Sequence, residues 1–449
     1  MNEVTTLHGP RVAIATLGCK LNYAESAALR ARFAEQGYVV VREEEPADVI
    51  VINTCTVTDN ADADCRKIVR RHLRQSPNAI VAVTGCFAQL QPETLASIDG
   101  VRGVFGTAEK LSIPEHIDAL RSATSPLIYV KETSDAMPFV EARSVESDGR
   151  TRAYVKVQDG CDYSCSFCTI PLARGGSRSI EFDTLCNELD RLDTERFHEV
   201  ILTGVNLGEY HAPTGERLID VLRVVSATTR TYRVRISSIE PNTISDEIVD
   251  MIAGHPMFCP HVHTPLQSGS PEILRRMRRR YTSERYRDRL MLLHERIPGL
   301  AVGIDVIVGF PGETEELFEE TYAFLQDLPW TYLHVFTYSE RPDTPAATYD
   351  ATVPMHVRRA RTARLRALSD ERRREHALRH LGDTRAVVTE SYDVDQQRWL
   401  GWTDNYIRVA VDLPFTTGRA MVHVILESMQ DDVVIGSVVQ PIPPDPPTI

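Results

Sequence analysis

The chain has 449 residues, of which 42% are hydrophobic, 25% charged and 7% aromatic. This composition excludes a disordered, collagenous or coiled-coil protein, and the length suits about three domains of roughly 150 residues each. Lys and Arg number 50 against 63 Asp and Glu, a formal charge of -13, so any site for a polyanion must be local. No apolar run approaches the roughly 18 residues of a membrane span, and the N-terminus lacks a signal pattern. We therefore expect a cytoplasmic protein without membrane contact.

The first segment alternates short apolar runs with amphipathic stretches. Helical patterns occupy about 22–36 and 61–75. Four apolar runs are typical of buried parallel strands, and they lie at 11–18, 38–41, 48–54 and 79–85. We predict an open parallel α/β domain over residues 1–125. A linker is predicted at 126–149, where the composition becomes irregular and rich in Ser, Pro and Thr.

A second α/β series begins near Ala153, and a different pattern follows it. Six strand candidates, each followed by a helical stretch, predict a partial parallel (β/α)6 barrel over 150–381. They lie at 154–157, 199–203, 232–239, 261–266, 301–309 and 331–338. Residues 384–440 alternate in strand fashion without a helical period, which predicts a β-barrel of about five strands over 382–441. A Pro-rich tail occupies 442–449.

Three of the nine cysteines lie in one short loop. Cys161, Cys165 and Cys168 form a C-x3-C-x2-C pattern directly after the first strand of the second series. Three thiolates can hold three corners of a [4Fe-4S] cluster and leave the fourth iron open to an exogenous ligand. The alternatives are a zinc site or buried thiols, although zinc usually requires C-x2-C pairs and further ligands.

Three other cysteines each follow a predicted strand of the first domain: Cys19, Cys55 and Cys86. The carboxyl ends of strands in an open parallel sheet share one crevice, so we expect these thiols to converge. They form a second candidate cluster site, and three buried small hydrophobic side chains are the alternative. The remaining cysteines are expected to be structural: Cys65, Cys186 and Cys259.

The loop C-D-Y-S-C-S-F-C, with Phe167 before its last cysteine, resembles that of the radical S-adenosylmethionine enzymes. Almost end to end, the chain resembles the methylthiotransferase family, through T-L-G-C-K-L-N-Y-A-E-S, N-T-C-T-V-T, G-C-F-A-Q and this loop. That resemblance implies an N-terminal cluster domain, a radical barrel and a C-terminal TRAM barrel that helps to hold RNA. I-L-T-G-V-N-L-G-E-Y, I-S-S-I-E-P, H-T-P-L-Q-S-G-S and R-R-M-R-R-R-Y-T are most similar to the branch that acts on N6-threonylcarbamoyladenosine in tRNA. Sister branches act on isopentenyladenosine in tRNA or on a ribosomal-protein aspartate.

The resemblance implies an enzyme that inserts a methylthio group at C2 of the modified adenosine beside the anticodon. It also implies two [4Fe-4S] clusters and S-adenosylmethionine as cofactors, tRNA as substrate, and flavodoxin or ferredoxin as electron donor. The cysteines of the loop would generate the radical, while sulfur is methylated at the N-terminal triad. We expect a monomer. A noncatalytic iron-sulfur protein that binds RNA or transfers electrons is the alternative of another class.

Four further residues receive a cofactor-binding role from the resemblance alone. Phe167 would pack against the adenine of S-adenosylmethionine, and Gly204 would approach its methionyl end. Ser237 and Glu240 would hold polar groups of the cofactor. For each of them, a turn or a helix cap is the structural alternative.

Arginine-rich segments and three aromatic residues are candidates for RNA contact. Residues 271–289 carry eight Arg against three acids, and residues 358–379 carry nine against three, so each segment either binds phosphates or is a solvated helix face with ion pairs. The last domain is acidic, with four Arg and eight acids in 384–440. Its rings could stack on bases or fill the core: Trp399, Trp402 and Tyr406. His261 and His263 point the same way on one strand, and we assign them a structural role.

Overall fold

The computed structural model describes residues 9–55, 61–133, 139–142, 151–195 and 197–439. Within these ranges, no helix is both long enough and apolar enough to cross a membrane. The described residues form a parallel sheet, a split parallel barrel and a closed β-barrel. The predicted α/β class, with its three successive architectures, is confirmed.

The first sheet has six parallel strands in the order β2-β1-β3-β4-β5-β6. Apolar residues pack on both of its faces in two separate clusters, which explains why its central strands are continuous apolar runs. The elements are β1 (Arg11–Thr16), α1 (Lys20–Glu35), β2 (Val39–Val41), β3 (Val49–Thr54), α2 (Ala61–Gln75), β4 (Ile80–Gly85), α3 (Cys86–Leu90), α4 (Pro92–Ala96), β5 (Val101–Phe105), α5 (Ile113–Ser122) and β6 (Leu127–Tyr129).

The edge strand β6 lies inside the stretch predicted as a linker, so that prediction is wrong for these residues. It pairs in parallel with β5, with Gly103 opposite Leu127. The Tyr129 ring stacks on Phe105 at 5.0 Å between centroids. Because β6 has only three residues, it is too short to show a strand period in the sequence. Its pairing is decided by the neighbouring strand.

The central domain contains the six predicted strands as two parallel sheets, β7-β10-β11 and β12-β13-β14. A bridge between Ser238 and His263 joins the sheets. Helix α1 packs along β7, with Tyr23 stacked on Tyr154 at 6.4 Å, so the first domain covers this edge of the barrel. The elements are β7 (Arg152–Lys156), β8 (Gln158–Asp159), α6 (Ile170–Arg174), β9 (Arg178–Ser179), α7 (Phe182–Thr194), β10 (Glu199–Thr203), α8 (Leu218–Ala227), β11 (Arg233–Ile236), α9 (Asp246–Gly254), β12 (His261–Gln267), α10 (Pro271–Arg276), α11 (Ser283–Arg296), β13 (Ala301–Val308), α12 (Glu315–Gln326), β14 (Tyr332–Thr337) and α13 (Met355–Arg379).

The C-terminal strands close into a five-stranded barrel in the order β15-β16-β17-β19-β18. They are β15 (Thr384–Asp393), β16 (Arg398–Thr403), β17 (Arg408–Val411), β18 (Met421–Gln430) and β19 (Val433–Val438). Tyr406 lies between β16 and β17 with a left-handed φ of 64°. Its ring is 4.7 Å from that of His261, 5.2 Å from that of Tyr332 and 4.7 Å from that of Trp402. Tyr406 and Trp402 therefore pack at the amino end of the central barrel instead of offering a platform for bases.

Candidate active site

The loop that carries Cys161, Cys165 and Cys168 leaves the carboxyl end of the first barrel strands. Hydrogen bonds to backbone carbonyls hold this loop in place. The Cys161 N–H donates to the Gly175 carbonyl at 3.2 Å. The Ser166 hydroxyl donates to the Arg276 carbonyl at 2.8 Å. All three cysteines line an open pocket of about 450 Å³. The structure therefore presents these thiols on one surface that a cofactor can reach.

Burial and one arginine control the charge of these thiols. Burial raises the pKa of Cys165, although Arg279 acts against it, and raises the pKa of Cys168 to about 12. Arg279 Nη1 donates to Cys165 Sγ at 2.9 Å. Because a thiol binds metal only as the thiolate, iron must displace protons here. A buried guanidinium beside one sulfur stabilises that anionic form, so the donor set fits an iron-sulfur cluster.

The four residues assigned to S-adenosylmethionine lie around this loop and at neighbouring strand ends. The Phe167 ring meets Phe310 edge-on at 6.5 Å. Gly204 follows β10, where an added Cβ would lie 2.8 Å from Gln158 Oε1. Ser237 is buried after β11, and Glu240 pairs with Arg279. Their contact with the cofactor stays a prediction.

The structure also brings the N-terminal cysteines together. An added Cβ on Gly18, next to Cys19, would lie 2.6 Å from Cys55 Sγ. Cys19 is exposed, but desolvation by the protein around its thiol raises its pKa, and Cys86 is close enough to add to that rise. All nine cysteines fall in the described residues and none forms a disulfide. Their separation along the chain therefore does not prevent a three-thiol site.

Asn22, one helical turn after Cys19, touches the surroundings of all three of these cysteines. Cys19 Sγ lies 3.9 Å from its Oδ1. Its amide donates to the carbonyl of Thr54, the residue before Cys55, at 2.9 Å. Its Oδ1 also accepts a bond of 3.0 Å from Arg174, the arginine that contacts Cys86. Asn22 thus links the three strand ends on which the triad stands.

A buried ionic network lies between the two cysteine sites. Arg174 Nη1 lies 2.9 Å from Glu25 Oε1 and 2.9 Å from Asp159 Oδ1. Lys110 pairs with Glu25, and Lys156 Nζ lies 3.0 Å from Asp159 Oδ2. Burial opposes the charge of Glu25, but Arg174, Lys110 and Lys156 hold its pKa well below the usual range. Both carboxylates are therefore ionised, and the network joins the first domain to the radical loop.

Sequence reasoning missed Asn22, Glu25 and Arg174 as parts of the site. One signal was present, because Asn22 and Glu25 follow Cys19 at intervals of three, which places them on one helix face. That face is buried, and a buried polar face requires partners. Arg174 had no such signal. Cys65 is fully buried in an apolar cluster, in agreement with a structural role.

A second polar cluster is formed by side chains of the adjacent strands β12, β13 and β14. His263 Nε2 and His334 Nδ1 lie 3.0 Å and 3.3 Å from the same oxygen of Asp305. The sequence offered no partner for His263, because β12, β13 and β14 meet only in the fold. Although histidine and carboxylate ligands suit divalent metals, Lys20 and Arg235 lie in the same region. Burial and the nearby Arg235 and Arg152 lower the pKa of Lys20 to about 8, whereas Glu199 and Asp305 act in the opposite direction.

Comparisons with known proteins agree with this geometry. Residues 11–106 match the uncharacterized protein family UPF0004, and residues 155–325 match the radical SAM superfamily. Threonylcarbamoyladenosine tRNA methylthiotransferase MtaB of Bacillus subtilis (strain 168) is 40% identical over 407 residues, covering 89% of each chain. The protein of the same name from Aquifex aeolicus (strain VF5) is 35% identical over 89% of this chain and 96% of its own. The chain belongs to the radical SAM methylthiotransferase family.

Other matches show how far the resemblance extends. A tRNA-2-methylthio-N(6)-dimethylallyladenosine synthase of Koribacter versatilis is 32% identical over 90% of this chain and 91% of its own. Among solved structures, the radical S-adenosylmethionine methyltransferase TsrM of Kitasatospora setae, with cobalamin and a [4Fe-4S] cluster bound, superposes with a TM-score of 0.56. It is 18% identical and covers 76% of this chain and 77% of its own. This likeness shows the fold alone.

As a radical SAM methylthiotransferase, the protein is an enzyme that uses S-adenosylmethionine and [4Fe-4S] clusters, and two clusters are typical of the family. The structure offers two three-cysteine sites, each with one arginine hydrogen-bonded to a sulfur: Arg279 to Cys165 and Arg174 to Cys86. Thiolate sulfurs and charge-assisted donors are the chemistry that holds and tunes such clusters. The residues present therefore fit the groups that the family implies.

Proposed function

We propose that this chain is the tRNA N6-threonylcarbamoyladenosine methylthiotransferase, which modifies C2 of the adenosine beside the anticodon. The observation that carries the proposal is the 40% identity to the Bacillus subtilis enzyme over 89% of both chains. Two cysteine triads joined by one ionic network support it. A cytoplasmic location follows from the tRNA substrate. We further propose that the enzyme is a monomer, takes electrons from flavodoxin or ferredoxin, and uses its C-terminal barrel as a TRAM-like domain.

The cysteine sites divide the work in this proposal. Cys161, Cys165 and Cys168 would hold the cluster that supplies radical chemistry, and Cys19, Cys55 and Cys86 would hold the cluster that supplies the sulfur. When bound, these groups supply a carbon radical and a sulfur source, which no side chain provides. A radical is required because the C2 hydrogen is not acidic and acid-base catalysis cannot remove it.

The side chains position the reactants. Phe167, Gly204, Ser237 and Glu240 bind S-adenosylmethionine around the loop. Helix α1 packs along β7 and the network of Arg174 fixes the loop against the first domain, so the two cysteine sites keep a fixed distance from each other when the adenosine binds. The base must leave its stack to reach them.

The barrel lumen favours the threonylcarbamoyl substrate over the isopentenyl one. A threonylcarbamoyl group carries a carboxylate, whereas an isopentenyl group is apolar and uncharged. Lys20 lies within electrostatic range of Arg235 and Arg152 and of the carboxylates Glu199 and Asp305, so three cations face two carboxylates. A substrate carboxylate is stabilised in such surroundings.

Turnover after anaerobic cluster reconstitution tests the proposed function. Enzyme, S-adenosylmethionine and dithionite are mixed with tRNA that carries threonylcarbamoyladenosine but no methylthio group, and the digested nucleosides are identified by mass spectrometry. We expect 2-methylthio-threonylcarbamoyladenosine together with 5'-deoxyadenosine. A product only with isopentenyladenosine tRNA would assign the chain to that sister branch, and reaction only with a ribosomal protein would assign it to the other. Neither product from protein that holds both clusters would leave the noncatalytic alternative.

A groove beside the barrel mouth supports contact with RNA. It has a volume of about 520 Å³, and Thr337, Arg359, Arg366 and Asp370 are among its lining residues. Thr337 ends β14 at the carboxyl end of the strands, where the cysteine loop also lies. Neither arginine has a hydrogen bond or ion pair with another described residue, whereas Arg364 on the same helix binds Glu319 with bonds of 2.5 Å and 3.2 Å. Two unpaired guanidinium groups in one groove suit backbone phosphates.

We expect Arg359→Gln/Arg366→Gln to weaken tRNA binding and to reduce its salt dependence. Loss of two phosphate contacts lowers the slope of log K against log salt by about two. Fluorescence anisotropy with labelled tRNA over a series of salt concentrations measures the slope. Arg364→Gln is the matched control, because Glu319 already neutralises that arginine, and its slope should stay unchanged. Equal slopes for all three proteins would exclude the groove as a phosphate site.

A further inference from the structure

Arg174 lies between the two cysteine sites and is connected to both. It ends α6, six residues after Cys168. The next residue, Gly175, has a left-handed φ of 76°, and its carbonyl accepts the Cys161 N–H at 3.2 Å. The Arg174 side chain reaches the first domain, where its Nε lies 3.2 Å from Cys86 Sγ. One residue therefore joins the radical loop to the N-terminal triad.

The guanidinium group of Arg174 is held in one orientation. Its Nη1 donates to Glu25 and Asp159 at 2.9 Å each, and its Nη2 donates to Asn22 Oδ1 at 3.0 Å. The residue is 1% exposed. A planar fork with five N–H donors can make these bonds together with the bond to Cys86, and a lysine ammonium with three donors cannot.

The network around Arg174 has more cations than carboxylates. Its described members include four buried or nearly buried cations, Lys110, Lys156, Arg174 and Arg178, and two carboxylates, Glu25 and Asp159. Uncompensated charge inside a protein is costly, so a surplus of two positive charges requires anions nearby. A [4Fe-4S] cluster on three thiolates is a net anion in its oxidised state and gains a further negative charge on reduction. Two such sites border this network.

We propose that Arg174 is a positioning residue that holds the N-terminal cluster through Cys86 and raises its reduction potential. The inference rests on the proposed cluster assignment and goes beyond it. A positive charge and an N–H···S bond stabilise the reduced, more negative cluster more than the oxidised one. Glu25 acts in the opposite direction, because its carboxylate lies on the same guanidinium and weakens the positive field at the cluster.

The potential of the N-terminal cluster is measurable in isolation. The full chain with Cys161→Ala, Cys165→Ala and Cys168→Ala keeps only that site and serves as the parent. Iron content is measured after anaerobic reconstitution, and a redox titration is followed by electron paramagnetic resonance. Arg174→Met and Glu25→Gln are added to the parent separately. Arg230→Met is the matched control, because the Arg230 side chain is 3% exposed and pairs with Asp190, away from both cysteine sites.

We expect opposite shifts from the two variants. In Arg174→Met, the ratio of reduced to oxidised cluster at a fixed potential should fall about tenfold, which is ~59 mV for a one-electron couple. In Glu25→Gln the ratio should rise, and in Arg230→Met it should match the parent. If Arg174→Met takes up no iron, the sign of the Glu25→Gln shift decides the question.

Two results would overturn the inference. An unchanged potential in Arg174→Met, or a downward shift in Glu25→Gln, would show that the network does not control the cluster, and the proposed function would stand. A parent protein that binds no iron-sulfur cluster at all would instead refute the assignment of Cys19, Cys55 and Cys86, and this inference with it.

Discussion

Replacement of Cys165 by alanine should abolish cleavage of S-adenosylmethionine. Cys165 is buried in the loop and accepts the bond from Arg279, so its loss removes one of three iron ligands together with the sulfur that the guanidinium stabilises. Two thiolates cannot hold a cluster with one open iron. Formation of 5'-deoxyadenosine should fall to the level measured without enzyme, and no methylthio product should form. Liquid chromatography with mass spectrometry measures both compounds.

Cys186→Ala is the matched control for this experiment. Cys186 lies on helix α7, outside both triads, so the variant should cleave S-adenosylmethionine at the wild-type rate. Substantial 5'-deoxyadenosine from Cys165→Ala, with no loss relative to this control, would contradict the assignment of the loop as the radical-generating site.

Replacement of Cys55 by alanine should separate the two half-reactions. Cys55 follows β3 in the first domain, next to Gly18 and beside Thr54, whose carbonyl is bonded to Asn22. It belongs to the other triad, so the radical loop keeps all of its ligands. We expect 5'-deoxyadenosine to form at close to the wild-type rate, while methylthio-threonylcarbamoyladenosine falls below detection. Both are measured in one turnover assay.

Iron analysis provides an independent reading of this variant. Reconstituted Cys55→Ala should hold close to half of the wild-type iron, whereas Cys186→Ala should hold all of it. Full methylthiolation by Cys55→Ala would refute a sulfur-carrying cluster at the N-terminal site. Loss of both activities with retention of half of the iron would show that the two sites do not work independently.

Local patterns were sufficient for most of the architecture. The strands β1, β3 and β4 are buried on both faces of one sheet, which requires continuous apolar runs. Such runs can be recognised in the sequence without a structure. The six barrel strands were predictable from similar apolar runs, whereas the C-terminal strands were predictable from the alternation of their buried and exposed residues. By contrast, β6 has three residues and depends on pairing with β5, and no local pattern identifies a strand of that length.

The cysteine positions illustrate a topological rule. Cys19, Cys55 and Cys86 are far apart in sequence, but each follows a parallel strand, and such strands end at one edge of a sheet. Their approach could therefore be predicted from order alone. Asn22, which bonds near all three, could not be selected, because a polar residue on a helix gives no sign of which carbonyls it will meet.

The sequence by itself determined the order of the elements, the two cysteine triads and the family. The elements follow from the periodicity of apolar residues, and the triads and the family follow from short motifs and their positions after predicted strands. Only the tertiary structure decided which charged side chains form ion pairs within the protein. Arg279, Arg358 and Arg361 appeared as parts of two cationic segments, yet each pairs with a carboxylate from another element. Arg174 lies outside both cationic segments, and it joins both candidate cluster sites. Ion pairs and burial depend on residues that are distant in sequence, and their energies are set by surroundings that exist only after the chain has folded.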